Sequence, residues 1–276
     1  MIRSKNKTCA NNSGATPNYP CVDGRFRRFF FGALRVLVCF ALSVVYLATG
    51  SAQSPDEAVD SLLIDYQKTD VFRRAVASGV VAIRIQVDTP QFLDTRLTPP
   101  PIWTAIAVQS GAGSVFVFPA AATVDMISVN LLLPTGENWT FSKDSVRVYE
   151  QIAVIRPAKW PDSIKPLTIA PHTAIVPGAA GIALSGVEQP GWEVLTKAHL
   201  IEPAPAENSP LWFSTIARGD GTPLFNHQKQ LLAISVRPGY GNSDRAYVLV
   251  ATALRTALLQ QDAADPVRKE RFPQIQ

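Results

Sequence analysis

Between residues 80 and 236 the chain consists of short apolar runs, each stopped by proline, glycine or a polar turn. The runs at 80–87, 103–108, 114–118, 127–133 and 151–155 are rich in Val, Ile and Ala, as are those at 174–176, 180–184, 193–199 and 231–236. Runs of this length with such punctuation predict strands. Many short strands without a fixed repeat predict an all-β barrel or sandwich. Residues 157–171 carry four prolines and read as a connector between two halves.

The pattern changes at both ends of this region. Over 56–77 the apolar residues Ala58, Leu62, Leu63, Tyr66, Val71 and Phe72 recur on one helical face, so an N-terminal helix is expected. Over 247–259 Val248, Ala251, Leu254, Ala257 and Leu258 do the same, predicting a closing helix at about 246–260. From Gln261 the chain is polar and charged, and 261–276 reads as a disordered tail.

Residues 1–52 have the composition of a targeting segment. Arg25, Arg27 and Arg28 close a basic leader, an apolar run follows, and Gly50-Ser51-Ala52 supplies small residues for cleavage. A signal peptide over 1–52 is expected, with an uncleaved membrane anchor as the competing expectation. All three cysteines (Cys9, Cys21, Cys39) lie there. The leader holds 7 of the 26 Lys+Arg and 1 of the 22 Asp+Glu, leaving 19 against 21 in the rest. The sequence pI of about 9.0 therefore comes mostly from the leader, and nucleic-acid binding loses its electrostatic support. A periplasmic or secreted location is expected, with the membrane a partner only if the apolar segment is retained.

Three segments carry a resemblance. Arg218-Gly219-Asp220-Gly221-Thr222-Pro223-Leu224 is similar to the nucleophile loop G-N-S-G-G-P-L of trypsin-like serine proteases, with Gly221, Pro223 and Leu224 matching and Asp220 at the serine position. The stretch 117–124 follows Gly111-Ala112-Gly113-Ser114 and resembles the histidine segment of that family, with Ala122 at the histidine position. Gln151-Ile152-Ala153-Val154-Ile155-Arg156 resembles the aspartate segment D-I-A-V-L-R, with Gln151 at the aspartate position. The segments come in the family's order, and the resemblance covers roughly residues 78–260.

The resemblance implies two antiparallel six-stranded β-barrels with a C-terminal and an N-terminal helix. The first barrel would span about 78–156 and the second about 166–240, after a helical segment at 53–77. Acyl transfer on this fold needs a nucleophile, a base and a group that orients the base. Ala122, Gln151 and Asp220 cannot fill those roles by the family's mechanism. The resemblance thus implies a pseudoprotease, no enzyme, acting by protein or peptide binding or as a structural subunit of an envelope complex. The alternative is a serine-type endopeptidase with a displaced active site, for example Ser214 with His172, His199 or His227. The expected binding cleft comprises Arg218, Gly219, Asp220, Gly221, Trp192 and Trp212. No cofactor is implied, and the histidines lack the spacing of metal ligands.

Overall fold

The computed structural model describes residues 54–87, 102–188, 193–205, 209–216, 220–238 and 245–264. The expected signal peptide over 1–52, Arg218, Gly219, Trp192 and residues 265–276 lie outside these.

Two helices open the described chain, α1 (Pro55–Ile64) and α2 (Tyr66–Ala77). A single helix is expected from the periodicity, and Asp65 divides it. Its backbone is extended (φ −86°, ψ 104°), and its carboxylate accepts from the Gln67 and Lys68 N–H groups at 3.0 and 3.1 Å. A side chain that satisfies the orphan donors of a new helix competes with continuing the old one. The break rotates the apolar face. Val59, Phe72 and Val76 are buried, whereas Tyr66 and Val71 point outward. At the start of α1, Ser54 and Glu57 form a reciprocal capping box.

Seven strands follow: β1 (Val80–Val87), β2 (Ile102–Ser110), β3 (Gly113–Pro119), β4 (Met126–Leu132), β5 (Asn138–Ser142), β6 (Val146–Tyr149) and β7 (Ile152–Ile155). They form one curled antiparallel sheet in the order β5-β4-β1-β2-β3-β7-β6. The second half holds β8 (Ala180–Ser185), β9 (Val194–Pro203), β10 (Leu211–Ser214), β11 (Pro223–Phe225), β12 (Leu231–Pro238) and β13 (Ala246–Val250). These close into a six-stranded barrel in the order β10-β13-β12-β11-β8-β9. A last helix, α3 (Ala251–Ala264), completes the described chain.

Alternation along the strands explains how the halves join. In β2, β3 and β7, the residues Ala105, Ala107, Phe116, Phe118, Ala153 and Ile155 fill the core of the first sheet. Their neighbours Ile106, Val108, Val115, Val117, Ile152 and Val154 share a core with Ile182, Leu184, Phe225, Ile234, Val236 and Leu249 of the second half. These first-half strands are buried on both faces, which is why they read as unbroken apolar runs. Ala183, Ala198, Leu200, Leu224, Ala233 and Val248 form a third core within the second half. Phe72 of α2 joins the shared core edge-on to Phe225, with ring centroids 6.3 Å apart.

Three local expectations are corrected. The segment 246–250 is strand β13, not the start of the closing helix, because Ala246, Val248 and Val250 alternate inward and pair with β10 and β12 to close the barrel. Residues 261–264 belong to α3 rather than to a tail, and Gln261 and Asp262 are buried. The expected strand at 174–176 is absent: His172–Ala174 form a 3-10 turn behind Pro171, and Val176 is exposed.

Candidate functional site

The three segments singled out by sequence meet where the halves join. Ala122 lies in the 3-10 turn Ala120–Thr123 at the end of β3 and is buried in the core of the first sheet. The N–H of Ala120 donates to the carbonyl of Gln151, 2.9 Å away, so this turn and the β6–β7 turn are joined. The Asp220 carbonyl accepts from the N–H of Thr104 in β2 at 2.7 Å, which hitches the loop before β11 to the first sheet. Gly221 follows with φ +93°, and a Cβ there would run into the Thr104 carbonyl and stand 3.1 Å from Pro119 Cδ. Only glycine fits such a backbone at such an approach.

The Asp220 carboxylate is engaged locally. Its Oδ1 accepts from the Thr222 hydroxyl at 2.6 Å and from the Thr222 N–H at 3.2 Å. The Gly221 N–H donates to Ser235, whose carbonyl and hydroxyl oxygens lie at 3.1 and 3.2 Å. The loop is thus pinned to β2 on one side and to β12 on the other.

Gln151 and Trp212 come together in a cavity of about 440 Å³. The β6–β7 turn contributes Tyr149, Glu150 and Gln151, β10 contributes Trp212, and the first turns of α3 contribute Thr252 and Thr256. The two halves of the chain therefore each supply one wall. A second cavity, of about 470 Å³, lies beside Thr222 and is lined also by Thr215, Ile216, Thr196 and Lys197. Three further tryptophans serve packing: Trp160 stacks on Phe116 at 4.7 Å, while Trp103 and Trp139 lean on the core of the first sheet.

The histidines lie elsewhere. His172 and His227 are exposed. His199 Nε2 lies 3.4 Å from Asp56 Oδ1, and Lys197 Nζ reaches Asp56 at 2.6 Å and Asp60 at 2.8 Å. This cluster fastens α1 to β9. Hydrogen bonds from Lys197, then from His199, hold the Asp56 carboxyl below its ordinary value, and the hydrogen bonds to Asp56, then to Asp60, raise Lys197. Ser214 is fully buried, and its hydroxyl donates to the main-chain carbonyl of His199 at 2.8 Å, so it faces neither imidazole nor solvent. Among the described residues no cluster of three His, Cys, Asp or Glu side chains is arranged for a metal ion, and no helix is long and apolar enough to cross a membrane.

A curled sheet, a closed six-stranded barrel and a C-terminal helix are now in view. The fold is consistent with a trypsin-like two-barrel protein. No family model matches the sequence, and no curated protein does. Among solved structures the chain is similar to two crystal structures of the Rv3671c protease of M. tuberculosis H37Rv. One, a serine-to-alanine mutant in an inactive form, is 17% identical with a TM-score of 0.47, covering 71% of this chain and 92% of that one. The other, also an inactive form, is 16% identical with a TM-score of 0.48, covering 70% and 93%. One expectation from the sequence is corrected here. The expectation that the chain is no enzyme is not upheld: the two solved structures reported above are of a protease, and loss of an active site is not shown.

Proposed function

We propose that this trypsin-like domain holds a polypeptide segment at the junction of its two halves. One observation carries the reading: the cavity of about 440 Å³ walled by Tyr149, Glu150 and Gln151 on one side and by Trp212 and α3 on the other. A concave site with an aromatic wall and a few polar groups suits a side chain of an extended segment. The basic leader and the apolar run at 36–48 support action outside the cytoplasm. The test is binding of the full chain to an array of random decapeptides. The reading expects a subset to bind, with affinity falling at least about tenfold in Trp212→Ala, as for a buried aromatic anchor. Absence of any binding peptide, or binding untouched by the substitution, sinks it.

A second reading is a serine-type endopeptidase whose site lies away from Ala122, Gln151 and Asp220. The His199–Asp56 pair favours it, because a carboxylate-held imidazole is two parts of a base and its orienting group. The Thr215 hydroxyl, just past β10, accepts from the main-chain N–H of His199 at 2.9 Å. Labelling with a fluorophosphonate probe decides this reading. Labelling lost in His199→Ala supports it, and an unlabelled native chain removes it.

A further inference from the structure

We propose that the cavity of Tyr149, Glu150 and Trp212 selects a cationic side chain, a lysine or arginine of the bound polypeptide. The inference rests on the polypeptide reading above and names what that site recognises.

Glu150 is the starting point. It sits in the tight turn between β6 and β7 that the Tyr149–Ile152 pair closes, with φ +45°. A glutamate in the left-handed region is uncommon, since the conformation favours glycine or asparagine. Its side chain is exposed, and among the described residues its carboxylate has no hydrogen-bond or ion-pair partner. The other acids named so far are all engaged: Asp56 with Lys197, Asp220 with Thr222, and Asp262 with Arg156.

The composition of the cavity supplies the complement. Among the described residues Glu150 is the one charged residue of the lining, with no lysine, arginine or histidine in it. Two aromatic residues, Tyr149 and Trp212, share the lining, and Trp212 is half-buried. Aromatic faces attract a cation through their quadrupole, most strongly for tryptophan. Gln151, Thr252 and Thr256 add neutral oxygens that an ammonium or guanidinium group can use. An apolar side chain would partly desolvate the carboxylate without pairing it, and an anionic one would be repelled.

One feature of the same cavity pulls the other way. The first turn of α3 lies in its wall, and the N–H groups of a helix start favour negative charge. That end is worth about half an elementary charge, against a full charge on Glu150, so the cavity stays attractive to cations.

The test uses the full chain and labelled Ala/Gly decapeptides with a single central residue: lysine, norleucine or glutamate. Fluorescence polarisation should show the lysine peptide binding about fivefold or more tightly than the norleucine peptide, with the glutamate peptide weakest. Glu150→Gln should bring the lysine and norleucine peptides to within about twofold without weakening the norleucine peptide. Equal binding of lysine and norleucine by the native chain overturns the cation site and leaves the polypeptide reading standing. So does a lysine preference that survives Glu150→Gln. If no peptide binds, n-butylammonium is titrated while the Trp212 indole N–H resonance is followed. A shift lost in Glu150→Gln keeps the cation site and removes the polypeptide reading, and no shift removes both.

Discussion

Arg156, just past the end of β7, donates from Nη2 to Oδ1 of Asp262 in the last turn of α3, at 2.7 Å, and that carboxylate is fully buried. The other oxygen of Asp262 takes the Ala112 N–H at 3.2 Å, and Arg156 Nη1 donates to the Ala112 carbonyl at 2.7 Å. Ser110 adds its hydroxyl to Asp262. The helix that ends the second half is thereby locked to the β2–β3 turn of the first. Removing one member of such a pair leaves a buried charge uncompensated. Arg156→Met is expected to lower stability by about 3–5 kcal/mol in urea unfolding of the full chain. A loss below about 1 kcal/mol would mean that the carboxylate is satisfied without the guanidinium.

Gly221 gives a second stability prediction, at the loop that carries Asp220. Its φ of +93° and its approach to the Thr104 carbonyl leave no room for a methyl group. Gly221→Ala should cost about 2–4 kcal/mol, seen as a lowered thermal midpoint, because backbone rather than a flexible side chain must give way. An unchanged midpoint would show that the loop does not hold this conformation.

The attachment of α1 to β9 should depend on pH with two limits. Asp56 has its carboxyl pKa lowered by Lys197 and His199, so its contribution is complete above the ordinary value of 3.8 and is lost as pH falls through the depressed one. Lys197 is raised above its ordinary 10.5 by Asp56 and Asp60, so its contribution is complete below 10.5 and is lost as pH rises through the raised value. Amide exchange of α1 should speed up relative to that of β2 below about pH 3.8 in the native chain. In Asp56→Asn that acid-induced difference should shrink, and an identical acid response in both chains would contradict the assignment.

What the sequence disclosed follows from burial. The strands β2, β3 and β7 carry apolar side chains on both faces, so their runs stand out. β5 and β6 are largely exposed at the ends of the first sheet, and polar residues such as Asn138, Thr140 and Arg147 hide them. β11 is three residues long and hides within the loop motif. The break at Asp65 was invisible to periodicity, because a helical pattern continues through it while the carboxylate starts a new helix. At the site, Gln151 and Trp212 were each legible as candidates, but their meeting depends on how two distant turns pack. Glu150 stood beside Gln151 in the sequence. Its left-handed backbone and its place in the cavity wall needed the fold.

The junction of the two halves is proposed to hold a polypeptide. Peptide-array hits, remeasured by fluorescence polarisation with the full chain and with Trp212→Ala, test this most directly. The predicted result is saturable binding that weakens at least about tenfold in Trp212→Ala, while the thermal midpoint of the variant stays within a few degrees of the native chain. Binding of equal strength in both chains, or no saturable binding in the native chain, would contradict it.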